Sequence, residues 1–108
     1  MKRIFINETI SKVGERVKVS GWVHVRRDHG KIIFIDLRDR SGISQLVFGP
    51  KDEVLYKKAD TLRPEWVIEI KGEVNKRPAG MENPDLETGE YEIEVKDLKI
   101  LAEAKTPP

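Results

Sequence analysis

The stretch Arg16-Val-Lys-Val-Ser-Gly-Trp-Val-His-Val-Arg26 alternates residue by residue. Val17, Val19, Gly21, Val23 and Val25 fall on one side, and Arg16, Lys18, Ser20, Trp22, His24 and Arg26 on the other. That period of two is what a strand with one buried face requires. Further along, Asp28-His29-Gly30 reads as a turn, and Lys31 to Arg38 predicts a second strand. Its Ile33, Ile35 and Leu37 face inward, while Ile32, Phe34, Asp36 and Arg38 face outward. Arg40-Ser41-Gly42 turns the chain into a third strand, Ile43 to Phe48. Gly49-Pro50 stops it, because neither residue belongs inside a central strand.

From Asp52 to Leu62 the period lengthens. Leu55, Ala59 and Leu62 fall at i, i+4 and i+7, and Asp52 and Glu53 stand in the first turn, where the helix dipole favours acids; a short amphipathic helix is predicted. Strand 4 is expected from Trp66 to Lys76, with Trp66, Ile68, Ile70, Gly72 and Val74 inward and Glu69, Lys71 and Glu73 outward. Strand 5 is expected from Tyr91 to Ile100. The Pro- and Gly-rich loop 77–90 between them is of a length that is usually functional or disordered. Thr106-Pro107-Pro108 can neither extend a helix nor donate to a sheet. The domain is therefore placed at 1–101 and the start of a linker at 102–108. The order β-β-β-α-β-β, with its helix between strands 3 and 4, is that of an all-β, five-stranded OB-fold Greek-key barrel.

The 108 residues suffice for one domain, and apolar residues at 38% against charged ones at 36% describe a heavily solvated globule rather than a disordered chain. No apolar run approaches membrane-spanning length. The absence of cysteine excludes disulfide scaffolds, thiol catalysis and Cys-type zinc sites. Met-Lys-Arg leads into no signal-peptide stretch, and a cytoplasmic protein is the simplest expectation. The net charge is only +1, yet residues 1–50 carry ten Lys/Arg against five Asp/Glu, and residues 51–108 carry ten against fourteen. Such an asymmetry suggests a basic face for a polyanion, the alternative being scattered surface charge.

An OB barrel binds oligonucleotides on strands 2 and 3, between the loops joining strands 1–2 and strands 4–5. Here the first loop supplies Arg26, Arg27, His29 and Lys31, the strands supply Phe34 and Gln45, and the long loop supplies Lys76, Arg77 and Asn83. Cations neutralise phosphates, an aromatic ring stacks on an unpaired base, and amides read base edges. Glu92 can accept from a base amino group, as carboxylates do toward cytosine. Competing assignments are simpler. Phe34 as core is disfavoured because Ile33 and Ile35 share the opposite face; Trp22 is expected at the rim and Trp66 in the core. Two histidines are too few for a metal site. Asp36, Asp39 and Glu92 are expected to pair with Arg38 or Arg40 rather than to form a catalytic or metal cluster, since no nucleophile–base pair accompanies them.

The run Gly-Trp-Val-His-Val-Arg-Arg-Asp-His-Gly (21–30), with Phe-Ile-Asp-Leu-Arg-Asp-Arg (34–40), Gly42-Ile43-Ser44-Gln45, Gly72-Glu-Val, Arg77-Pro78, Asn83-Pro84, Thr88-Gly89-Glu90 and the closing Ala104-Lys105-Thr106-Pro107-Pro108, resembles the N-terminal anticodon-binding domain of bacterial-type aspartyl-tRNA synthetases. The resemblance covers the chain from about Val13 onward. It implies that Phe34 stacks on an anticodon base, that Gln45 and Glu92 read base edges, that Arg27 and Arg77 contact the anticodon stem-loop, and that Asn83 lies in the variable loop. His29 matches a position associated with tolerance of asparagine as well as aspartate tRNA. The departures are Arg3-Ile-Phe-Ile-Asn-Glu-Thr-Ile10 at the start, Val25 in place of a basic residue, and Lys31 in place of a second glycine.

The partner so implied is the anticodon stem-loop of an aspartate-type, and in a relaxed enzyme an asparagine-type, tRNA. No cofactor is expected for this domain, since ATP and Mg belong to the class II catalytic domain that follows such a linker in the family. The chain alone is expected to bind RNA as a monomer and catalyse nothing, while the parent enzyme is expected to be a homodimer. The open alternative is a free-standing OB domain for single-stranded nucleic acid or protein; asparaginyl and lysyl synthetase domains are intermediate cases.

Overall fold

The computed structural model describes residues 1–104. Five strands close on themselves in the order β1-β2-β3-β5-β4, being β1 Arg16–His29, β2 Ile32–Asp39, β3 Gly42–Phe48, β4 Val67–Lys76 and β5 Tyr91–Ala102. All neighbours are antiparallel except β3 and β5, which pair in parallel through Gln45, Leu46 and Val47. This is the expected five-stranded OB barrel, and its core joins the inward positions expected of β1 up to Val23, of β2 and of β4 from Ile68 to alternate residues of β3 and β5. Val17, Val19, Val23, Ile33, Ile35, Leu37, Leu46, Phe48, Ile68, Ile70, Val74 and Ile93 are all buried.

The helix α1, Glu53–Asp60, closes the barrel end reached by β3. Asp52 caps it by accepting from the Leu55 N–H at 3.1 Å, and Leu55, Ala59 and Leu62 are buried as the helical period requires. The other end is closed by a 3-10 helix, Ile6–Ser11, absent from the sequence expectations. Its Ile6 is fully buried, and its first N–H donates to Asp39 Oδ2 at 2.9 Å. Six residues with one buried apolar side chain carry too little periodicity to be recognised alone.

Three expectations are corrected. β1 does not end in an Asp28-His29-Gly30 turn; Asp28 and His29 pair with Ile33 and Ile32, so the hairpin is the two-residue turn Gly30-Lys31. Gly30 enters it at φ 61°, which a residue without Cβ adopts freely. Trp66 precedes β4 and is half-buried rather than core; the neighbouring Glu65, at φ 71°, donates its N–H to the Val23 carbonyl. Finally, the β1–β2 register slips between Val23 and Val25. This bulge exchanges the faces of everything beyond it, so Val25, expected inside, is 38% exposed. The long loop 77–90 packs against the barrel through buried Thr88, whose hydroxyl donates to the Ile43 carbonyl. Of the expected linker, Ala102 is the last residue of β5, and residues 105–108 lie outside the described residues.

Candidate nucleic-acid interface

The register places two rows of side chains across the outer face of the barrel. In the first, Arg27 stands opposite Phe34, Phe34 opposite Val47, and Val47 opposite Glu94. The second runs Val25, Asp36, Gln45, Glu92 and Asn75. Directly opposed residues share a face, so Phe34 is outward beside Arg27 and the apolar Val47, half-buried on the surface and not in the core. His29 and Ile32 continue the same face to the hairpin tip, next to exposed Lys31.

Hydrogen bonds join the rows into one chain. The Arg27 guanidinium donates to both Asp36 oxygens, at 2.9 and 2.8 Å, and to Gln45 Oε1 at 3.1 Å. Gln45 Nε2 then donates to Glu92 Oε1 at 3.1 Å. The amide is thereby fixed at both ends, its oxygen on a cation and its nitrogen on a carboxylate. The bidentate bond to Asp36, the stronger geometry for an Arg–carboxylate pair, holds Arg27 above the usual arginine pKa. Burial pushes Glu92 above the usual glutamate range, partly opposed by the Gln45 hydrogen bond and the positive charge of Arg77.

Arg77 lies beneath this chain rather than on it. It is 9% exposed, its Nε donates to the Tyr91 carbonyl at 2.9 Å, and its buried Nη2 has no partner among the described residues. Burial pulls its pKa down, while the charges of Glu92 and Asp36 hold it up.

Of the residues singled out from sequence, the fold thus brings together Arg27, Phe34, Gln45 and Glu92, with Arg77 below and His29 and Lys31 at the tip. Arg26 is not on this face. The bulge turns it to the opposite side, where it donates to Asp28 at 2.8 and 2.9 Å and to Asp60 Oδ1 at 2.5 Å, strapping β1 to the end of α1. Asn83 lies in a separate depression with Ile10, Leu86 and Tyr91; its Oδ1 accepts from the Asp85 N–H and its own N–H donates to the Gly89 carbonyl, so it shapes the loop. Asp36 and Asp39 do not pair with Arg38 or Arg40 as expected. Asp36 takes Arg27, and Asp39 takes the Ile6 and Ser41 N–H groups. Arg38 reaches Glu65 at 3.4 Å instead, and Arg40 lies over Phe5. Asp36 as the partner that orients Arg27 was missed; only the bulged register reveals it.

A closed five-stranded barrel presenting an outward aromatic ring beside fixed amide and carboxylate groups belongs to the nucleic-acid-binding class of β-barrels. Residues 17–101 match the tRNA anti-codon family of OB-fold nucleic acid binding domains. The chain belongs to this family. It is 53% identical over 98 residues to an aspartate–tRNA(Asp/Asn) ligase of Rubrobacter xylanophilus, covering 91% of this chain and 16% of that protein. A ligase of the same name from Dictyoglomus turgidum is 59% identical over 97 residues, 89% of this chain and 16% of the relative. The crystal structure of asparaginyl-tRNA synthetase from Pyrococcus horikoshii with asparaginyl-adenylate superposes with a TM-score of 0.79 at 25% identity, over all of this chain and 24% of that one. The chain therefore spans about a sixth of the length of these curated relatives. Among the described residues no helix is long and apolar enough to cross a membrane.

Proposed function

We propose that this chain is the anticodon-recognition domain of an aspartate–tRNA ligase, and that it accepts the anticodon loop of aspartate and asparagine tRNA alike. The observation that carries the reading is the outward Phe34 set beside the chain Arg27–Gln45–Glu92. A base lying on Phe34 places its edge toward groups already held in one orientation, so recognition requires little ordering at the moment of binding. Glu92 accepts from an exocyclic amino group, as cytosine offers, and Gln45 serves the adjoining base edge. The Asp36 clamp makes Arg27 part of the reading assembly rather than a free phosphate contact. Phosphates fall to the unclamped Lys31 and His29 at the tip, while Arg77 balances the carboxylates from below. The relatives' shared name and their identity across nine-tenths of this chain support the substrate pair.

On this reading the chain binds and orients RNA and performs no chemistry. Aminoacylation, with its ATP and magnesium, belongs to the parts of the ligases that this chain does not span. The domain acts in the cytoplasm and is monomeric alone, and the whole ligase is a homodimer. Titrating labelled aspartate-type, asparagine-type and unrelated anticodon stem-loops at two salt concentrations tests it. Preference for the first two over the third is expected; equal binding to all three leaves a general single-strand binder.

A further inference from the structure

A groove of about 600 Å³ lies at the end of the β1–β2 face away from the hairpin tip, lined among others by Lys2, Arg3, Phe5, Trp22 and Arg40. Phe5 and Trp22 are each 41% exposed, and each has an arginine over its ring. The Arg40 guanidinium lies 4.4 Å from the Phe5 centroid, and that of Arg38 lies 5.8 Å from the Trp22 centroid. Phe5 thus carries the Arg40 guanidinium against its ring, while Arg3 donates from Nη1 to Ser20 Oγ at 3.0 Å. The nearby acids are committed elsewhere. Asp39 accepts from the Ile6 and Ser41 N–H groups, Glu8 from the Phe5 N–H at 3.4 Å, and Glu65 from Arg38. Among the described residues no carboxylate pairs with Lys2, Arg3 or Arg40.

Trp22 stands opposite Arg38 on β2, four residues beyond Phe34 on the same face, which at ~3.3 Å per residue is about 13 Å. Three bases stacked at ~3.4 Å span only about 7 Å. A strand of RNA seated on Phe34 thus meets this groove with nucleotides outside the anticodon. No Asn or Gln lines it, so it has the groups for backbone contact and lacks the amides that read base edges.

We propose that this groove grips the phosphate backbone of the base-paired stem that closes the bound loop, with Arg3 and Arg40 as its phosphate ligands. The proposal rests on the anticodon-loop reading and adds a second site to it. Paired RNA is recognised mainly through phosphates and 2′-hydroxyls; the Arg40 guanidinium, laid over the Phe5 ring, offers its N–H fork to a phosphate, and Arg3 lines the same groove as a second cation.

The test compares two RNAs on the 108-residue chain, an anticodon stem-loop and the same loop sequence as an unpaired oligonucleotide. The double variant Arg3→Ala/Arg40→Ala, with an unchanged melting temperature as the control for folding, should bind the stem-loop on the order of tenfold more weakly and lower its salt slope by about two. Its affinity for the unpaired loop should not move. Unchanged stem-loop binding would overturn the proposal and leave the groove to a protein partner, and an equal loss on both RNAs would overturn it as well. Phe34→Ala separates the two readings, because it should weaken both RNAs. If Phe34→Ala weakens neither while the double variant still loses the stem-loop, the loop assignment fails and the stem contact stands.

Discussion

At the scale of single residues, Phe34, Arg27 and Glu92 make separable demands. Phe34 contributes a ring face to the surface and nothing to the core, so Phe34→Ala should cost ~1–3 kcal/mol of RNA binding at almost unchanged melting temperature. A sharp fall in melting temperature with affinity retained would return the ring to a packing role. Arg27 is tied to Asp36 and Gln45, so Arg27→Ala frees the amide and should alter the preference between anticodon loops. A uniform loss across RNAs would show a phosphate contact instead. Glu92 titrates above the usual glutamate value of 4.5 because it is partly buried. A carboxyl whose folded pKa is raised binds its proton more tightly in the native state, so its contribution to stability is complete at low pH and is lost as pH rises through that raised value. Glu92→Gln keeps the acceptor for Gln45 and removes the buried charge. Denaturant midpoints should therefore coincide for the two proteins in acid and favour Glu92→Gln at neutral pH. On the proposed role of Glu92 as an acceptor from a base, RNA affinity of the parent chain should fall on acidification as the carboxylate is protonated.

At the scale of the element, the bulge at His24 decides which arginine shares a face with Phe34. Alternation alone places Arg26 outward with His24. One extra residue in β1 turns Arg26 to α1 and Arg27 to the reading face. Deleting His24 removes the extra residue but leaves Val25 opposite Asp36 and Arg27 opposite Phe34, so the Arg26–Asp60 and Arg27–Asp36 pairs and the loop preference should be retained; RNA titration beside a thermal melt of the deletion variant checks it, and a lost preference would show that the bulge does more than set the register. Gly21 explains another constraint on β1. A Cβ there would collide with the Arg38 carbonyl and crowd the Leu37 side chain at 3.3 Å. Gly21→Ala should destabilise by about 1–3 kcal/mol, read from denaturant unfolding, because a well-packed barrel wall cannot yield to an added methyl.

At the scale of the molecule, barrel closure converts a division along the chain into one in space. β1, β2 and β3, from the basic half, are contiguous in the barrel, and β4 and β5 of the acidic half complete it. Stem-loop affinity should therefore fall steeply with added salt even though the net charge is only +1. A flat salt response in the same titration would mean that the cations do not meet phosphates.

The inward residues of β1 up to its bulge, of β2 and of most of β4 were legible because burying one face of a strand imposes a period of two, and the helix because its face imposes a longer one. Phe34, Gln45 and Glu92 were legible as outward groups for the same reason. The N-terminal 3-10 helix was not, since it is stabilised by the Asp39 carboxylate, more than thirty positions away. Nor was the placement of Arg26, Arg77 and Asn83, whose side chains are claimed by α1, by the underside of the Asp36–Glu92 pair, and by the loop's own turns. Local alternation determined the barrel and its core in this protein. Which cations share the outer face with Phe34 was decided only in the tertiary structure, because a bulge exchanges faces without changing composition and because an ion pair needs two strands brought side by side.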